Sequence, residues 1–457
     1  MTDSDTRNTE SLFGTDGVRG VAGSEITPEI AERVARAYAG LITDGGTPTV
    51  LLARDTRISG PELAQAIGAE LCRCGVNVVD CGILPTGGLC LLARERDADG
   101  GVVISASHNP PEFNGIKLVA RGGEKLSLTS QRKLESLLRE AMDGPRGASP
   151  GVLSEDPRAE EDYLRIVFNG LREKCLSGLH VVLDCAEGAA SEIAERAFER
   201  AGAHVDAIHC DGDGTRINVG CGSTCLDALA REVVTCGADL GVAFDGDADR
   251  AVFVDHEGEI VDGDGSKYTL AVDLQDRALL DPPLIIGTVM NNFGLERALT
   301  ERGIRLERTP VGDRCVVERM RETGARLGGE QSGHIIFRNT LIGDGVYTAL
   351  RLCEVVGRSG RTLSELAAPV EKIPQHLVNI EVPDRDAWED APPVLEEIAH
   401  WEQRLDGVGR ILVRASGTEP LVRVMVEAED AELALEAVNS VATAVRAACD
   451  GGEAVQH

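Results

Sequence analysis

Apolar residues recur along the chain at two spacings, and their alternation predicts strands interleaved with amphipathic helices. Thr27 reads as an N-cap and Pro28 as the first helical residue, with Ile30, Val34, Ala37 and Leu41 on one face. A strand is predicted over 49–53, a helix over 61–74 closed by Gly75, and a second strand over 76–81. After another short helical stretch, the β-branched run Val102, Val103, Ile104 reads as a buried strand. It ends in small and turn-forming residues that place Ser107 at its tip. Strands alternating with helices imply an α/β unit whose functional loops lie at strand ends.

Residues 143–157, rich in Gly, Pro and Ser, read as a linker, and the pattern then restarts. Strands are predicted over 179–185, 204–210 and 238–244, with a helix near 190–201 ended by Gly202. A third round begins after about residue 258, with a helix from Ser266 and a strand over 284–289. Further helices start at Gly294, at Asp313 and after Asp344. Beyond Pro374 the composition changes to strands 376–382, 410–413 and 422–427 with helices near 391–404 and 431–448. The expected organisation is three similar α/β domains, 1–155, 156–257 and 258–371, and a smaller α+β domain, 372–457.

A chain of 457 residues with 42% apolar content is long enough for several packed domains. No run approaches the ~18–20 apolar residues that span a bilayer. The opening Met-Thr-Asp-Ser-Asp-Thr-Arg lacks a signal peptide's basic-then-apolar pattern, so a cytoplasmic protein is expected. A net charge of −30 argues against nucleic acid as a partner. The charge comes from 76 acidic residues against forty Arg and six Lys. Such a Lys-poor acidic surface is similar to that of salt-in halophiles, where molar salt shortens the Debye length to ~3 Å. An ordinary acidic enzyme is the alternative. The 13 Cys are scattered without a zinc-knuckle pattern and are expected to be buried thiols in a reducing compartment.

Four stretches carry candidate chemistry. In the first, Ser107 is followed by His108, and Lys117 lies beyond a Gly-containing turn, placing an acid/base group and a cation near a candidate nucleophile. Taken alone, this is also what an ordinary strand-to-turn junction looks like. In the second, Asp245, Asp247 and Asp249 alternate with small residues at a strand end and precede Arg250. Carboxylates at i, i+2 and i+4 can converge on one hard cation, and three protein oxygens leave room for a phosphate oxygen. An EF-hand is excluded, because its sixth and twelfth positions would be Arg250 and His256. An acidic turn in a very acidic protein is the alternative.

The third stretch, Glu330-Gln-Ser332-Gly-His334, offers groups suited to sugar hydroxyls, or simply a polar turn. The fourth, Arg414-Ala-Ser416-Gly417-Thr418 with Arg423, pairs cations and hydroxyls with a Gly-freed backbone, as a phosphate loop requires. A hairpin turn is the alternative there. Near the N-terminus a Gly-punctuated loop presents Asp16 and Arg19. No P-loop, Gly-x-Ser-x-Gly elbow or His-Glu-x-x-His motif is present.

Together these stretches resemble the α-D-phosphohexomutase family over nearly the whole chain. The motifs Ser-Ala-Ser-His-Asn-Pro, Asp-Gly-Asp-Ala-Asp-Arg, Gly-Glu-Gln-Ser-Gly-His and Arg-Ala-Ser-Gly-Thr-Glu-Pro occur in the family's order. Phe13-Gly-Thr-Asp-Gly-Val-Arg-Gly, Val311-Gly-Asp-Arg, Gly343-Asp-Gly and the Gln331 loop look like the phosphoglucosamine mutase branch, of an archaeal, halophilic type. Ala415 departs from the family's usual Pro.

The resemblance implies three α/β domains with mixed sheets and a smaller fourth domain around a central cleft. It implies Ser107 as a phosphoserine, with Asp245, Asp247 and Asp249 holding one Mg²⁺ per chain and the phosphoserine as a further ligand. Glu330, Ser332 and His334 would hold the sugar. Arg414, Ser416, Gly417, Thr418 and Arg423 would hold the non-reacting phosphate, and Arg19, His108, Lys117 and Arg250 would surround the transferred group. The implied reaction interconverts glucosamine 6-phosphate and glucosamine 1-phosphate, with a glucosamine or hexose 1,6-bisphosphate as intermediate and activator. The implied state is monomer or homodimer. Phosphoglucomutase or phosphomannomutase activity is the nearest alternative; a non-catalytic sugar-phosphate-binding regulator is another.

Overall fold

The computed structural model describes residues 17–43, 46–139, 149–384, 386–416 and 420–449. The chain divides into two compact units, Met1–Thr288 with Thr309–Ala368, and Val289–Arg308 with Pro369–His457.

The first unit is built on successive α/β sheets. In the first sheet Thr49–Arg54 runs parallel to both Asn77–Ile83 and Gly100–Ile104. Gly100–Ile104 then pairs antiparallel with Phe113–Ala120, which pairs antiparallel with Val18–Val21. The strand with the buried β-branched run is fully buried along its length, as expected for a central strand. The helix Pro28–Ile42 starts as its sequence predicts, with the Thr27 side chain accepting from the Ile30 N–H. Its Val34 and Tyr38 pack with Leu52, Ile67, Val78, Val102 and Ile104 in one core.

Of the expected linker 143–157, residues 143–148 lie outside the described residues. Leu153–Glu155 adds a parallel edge strand to Asn77–Ile83. All three of its residues are exposed, so no apolar periodicity marks it.

In the second sheet Leu240–Phe244 lies parallel to His180–Asp184 and antiparallel to Ala251–Asp255. The helix Ile193–Ala201 ends at left-handed Gly202. In the third, Leu284–Thr288 is parallel to Leu327–Gly329, which is antiparallel to Ile335–Phe337. One helix begins earlier than its apolar pattern suggests: it spans Gly263–Asp276, because Asp262 caps it through the N–H groups of Asp264 and Gly265.

The second unit has an antiparallel sheet in the order Gln375–Glu381, Leu421–Ala428, Gly409–Ala415. Helices Pro392–Leu405 and Ala431–Cys449 cover it through Val394, Trp401, Leu405, Val438, Val441 and Val445. All thirteen cysteines are free thiols. Among the described residues no helix is long and apolar enough to cross a membrane.

Candidate active site

Ser107 stands just past the C-terminal end of Gly100–Ile104, with a left-handed φ of 52°. Its hydroxyl donates to Asp245 Oδ2 at 2.6 Å and lies 3.3 Å from His108 Nδ1. Asp245 follows the buried strand Leu240–Phe244, so two parallel-sheet strand ends meet here. The two loops approach closely. A Cβ on Gly246 would sit 2.6 Å from the Ser107 carbonyl oxygen, so only glycine fits.

Asp245, Asp247 and Asp249 bring carboxylate oxygens within 4.8 Å of one another. Lys117, on the strand Phe113–Ala120, places Nζ 2.5 Å from Asp247 Oδ2 and 3.4 Å from Asp249 Oδ2. The Thr86 hydroxyl also donates to Asp247, and its N–H donates to the Asp247 carbonyl at 3.0 Å. Asp247 Oδ1 and Asp249 Oδ1 are buried without a hydrogen-bond partner.

These surroundings push the carboxyls apart. Burial, then Asp249 and Asp247, raises Asp245. Burial also opposes ionisation of Asp249, but Lys117, then His334 and Arg250, outweigh it and hold that carboxyl well below its usual range. Burial, then Arg250 and Arg19, lowers the His108 imidazole. Arg19 is placed opposite Gly115 by the pairing of Val18–Val21 with Phe113–Ala120. Arg250 donates its N–H to Asp245 Oδ1 at 3.1 Å.

The loop between Leu327–Gly329 and Ile335–Phe337 carries Glu330, Ser332 and His334. Glu330 accepts from the Gly312 N–H at 3.1 Å and from the Ser332 hydroxyl at 3.3 Å. His334 is buried, with Nδ1 3.6 Å from Asp249 Oδ1 and Nε2 3.7 Å from Asp313 Oδ2. Burial works against its charge, but Asp249, then Asp313 and Glu330, raise it to about 9. Buried Lys267 donates to the Gly329 carbonyl at 3.2 Å and pairs with Asp264, bracing the loop.

In the second unit, Arg414 on Gly409–Ala415 lies directly opposite Arg423 on Leu421–Ala428. Burial, then the neighbouring Arg423, lowers the Arg414 guanidinium. Two guanidinium side chains held side by side suit an anion. Ser416 donates its N–H to the Leu421 carbonyl at 2.8 Å. Asp16, Gly417 and Thr418 lie outside the described residues.

In the first unit, then, Ser107, His108, Lys117, Asp245, Asp247, Asp249, Arg250 and His334 form one connected cluster. Thr86 and Asp313 belong to it as well, and sequence reasoning assigned neither a role. Thr86 reaches Asp247 across 161 positions, so no local motif carries the signal. Asp313 sits in the Val311-Gly-Asp-Arg stretch, which was distinctive but unassigned.

Sequence models of the phosphoglucomutase/phosphomannomutase family match the chain throughout. Its α/β/α domain I matches residues 10–144, domain II 161–258, domain III 262–373 and the C-terminal domain 377–444. A phosphoglucosamine mutase of Desulforudis audaxviator is 46% identical over 440 residues, covering 95% of this chain and 98% of that protein. One of Moorella thermoacetica is 46% identical over 426 residues, covering 92% and 96%. A crystal structure of a phosphoglucomutase/phosphomannomutase family protein from Burkholderia thailandensis superposes with a TM-score of 0.82 at 26% identity, covering 97% and 98%. Strand-end serine, carboxylate loop, Glu330–His334 loop and paired arginines therefore sit on a chain that belongs to the phosphoglucomutase/phosphomannomutase family.

Proposed function

We propose that the protein is a phosphoglucosamine mutase, interconverting glucosamine 6-phosphate and glucosamine 1-phosphate through a phosphoserine at Ser107 and a 1,6-bisphosphate. The observation that carries this reading is the Ser107 hydroxyl, 2.6 Å from Asp245 at the head of three buried carboxylates. Relatives named phosphoglucosamine mutase at 46% identity support the choice of sugar.

Phosphoryl transfer needs charge neutralisation and positioning more than covalent machinery. The phosphoryl group leaves Ser107 Oγ for the sugar's 1-hydroxyl, and Lys117, Arg250, Arg19 and His108 supply positive or hydrogen-bonding surroundings. The bisphosphate then presents its other phosphate, and the serine oxygen takes it back. Glu330, Ser332 and His334 hold the sugar, while Arg414, Ser416, Gly417, Thr418 and Arg423 hold the phosphate that is not reacting. The same bisphosphate, added from outside, would rephosphorylate enzyme that has lost its phosphate and so act as activator.

Two buried carboxylate oxygens without hydrogen-bond partners fit a hard cation. Asp245, Asp247, Asp249 and the Ser107 phosphate would hold one Mg²⁺, which supplies charge neutralisation when bound. In this reading the chain is a cytoplasmic monomer or homodimer. Its α/β domains run over 1–155, 156–257 and 258–371, and its C-terminal domain over 372–457.

Assay against a panel of 6-phosphosugars in high salt tests the proposal. Glucosamine carries a 2-ammonium, which Glu330 attracts, whereas the phosphate contacts are common to all hexose phosphates. We expect kcat/KM for glucosamine phosphate to exceed those for glucose and mannose phosphates at least about tenfold, ~1.4 kcal/mol. A reversed preference of that size would leave the mutase reading standing and remove the glucosamine assignment.

A further inference from the structure

Side chains outside both the carboxylate cluster and the sugar loop hold the backbone of the Ser107 turn. Arg57, three residues beyond the strand Thr49–Arg54, is fully buried. Its guanidinium uses all five N–H donors. Nε donates to Asp55 Oδ2 at 3.0 Å, and Nη1 donates to the carbonyls of Pro110 at 2.5 Å and Phe113 at 2.8 Å. Nη2 donates to the carbonyls of Ser107 at 3.0 Å and Asn109 at 2.7 Å. Asn218 Nδ2 donates to the same two carbonyls, at 2.9 and 3.0 Å. The Ser107 N–H is held too, by Ser105 Oγ at 2.9 Å, and that hydroxyl in turn donates to Asp55 at 2.5 Å.

Ser107 needs this restraint. Its φ of 52° is a conformation that side-chain-bearing residues rarely adopt, and relaxation would swing the hydroxyl away from Asp245. Any such rotation must strip the Ser107 carbonyl of donors from two directions at once. Gly246 of the carboxylate loop packs against that same carbonyl, so the serine's backbone and the Asp245 loop are held in one arrangement.

We propose that Arg57 and Asn218 are positioning residues, which clamp the Ser107 and Asn109 carbonyls and keep the serine hydroxyl aimed into the carboxylate cluster. The inference rests on Ser107 being the phosphoryl carrier. Lysine cannot replace Arg57, because three donors would face five acceptors.

The test compares full-length wild type, Asn218→Ala, Arg57→Lys and Ser107→Ala. Melting temperature, phosphoserine fraction by intact mass, and kcat and KM for glucosamine 6-phosphate with Mg²⁺ are measured. Asn218→Ala should melt within a few degrees of wild type and keep KM within about threefold. Its kcat per phosphorylated, folded enzyme should fall about tenfold or more, and that of Arg57→Lys further. A purely structural role would lower melting temperature and leave that normalised kcat unchanged. Wild-type kcat in Asn218→Ala, or a change in KM alone, overturns the clamp whatever Arg57→Lys does. Should Arg57→Lys not fold, Asn218→Ala decides. An active Ser107→Ala enzyme overturns the phosphoserine reading instead, whereas an inactive one beside a fully active Asn218→Ala overturns only the clamp.

Discussion

Oδ2 of Asp247 lies 2.5 Å from Nζ of Lys117, while Oδ1 of the same buried carboxylate has no hydrogen-bond partner. Lys117 and Thr86 thus satisfy one oxygen of Asp247 and leave the other without a hydrogen bond, while Asp249 Oδ1, also without one, has His334 Nδ1 at 3.6 Å. Leaving such atoms buried is costly unless something meets them. Mg²⁺ should therefore raise the melting temperature by an amount that grows with the logarithm of its concentration and is equivalent to ~2.7 kcal/mol at a hundred times its Kd. Excess chelator should abolish turnover. Asp247→Asn should lose most of both effects, with kcat down about a hundredfold or more. Full activity in chelator would refute the metal assignment.

Asp344 gives a pH dependence of stability. It caps the helix Gly345–Ser359 through the Tyr347 N–H at 2.9 Å and accepts the Tyr163 hydroxyl at 2.9 Å. Burial raises its carboxyl from the usual 3.8 to about 6, against the lowering pull of those hydrogen bonds. The folded state therefore binds this proton more tightly than the unfolded state does. The stability it contributes is complete below 3.8 and is lost as pH rises through about 6. Asp344→Asn keeps an acceptor for both donors and cannot ionise. Relative to wild type it should gain up to ~3 kcal/mol at pH 7.5 and little at pH 4 (proposed test values), read from denaturant midpoints. An equal difference at both pH values would contradict this.

Much of the fold was legible because its signals are local. Thr27 and Pro28 announce a helix start, Gly202 a helix end, and Val102–Ile104 a central strand. The Ser107, Asp245 and Glu330 stretches were legible for a related reason: each lies in a short loop at a strand end, where neighbours in sequence are neighbours in space. What escaped acts across the chain or against the apolar pattern. Arg57 holds carbonyls 50 to 56 positions away, and Asn218 reaches one 111 positions away. Leu153–Glu155 is an edge strand without an apolar face, and Asp262 starts a helix three residues before the expected Ser266.

Salt should stabilise the protein. A net charge of −30 repels itself in dilute buffer, and molar salt shortens the Debye length to ~3 Å. We propose a salt-adapted, halophile-type protein, whose melting temperature and activity rise between 0.1 and 3 M KCl, a proposed test range. A melting temperature that is flat over that range would remove the halophile reading.

The proposed reaction requires that Ser107 carry the phosphoryl group. Its hydroxyl points at Asp245, within the only cluster of three carboxylates alone, among the described residues, that could hold a metal ion. Intact-mass measurement of active enzyme should show one phosphate adduct that Ser107→Ala lacks. The adduct should turn over with glucosamine 6-phosphate in a single-turnover experiment. Ser107→Ala should retain almost no activity. An unphosphorylated active enzyme, or an active Ser107→Ala variant, would contradict the account.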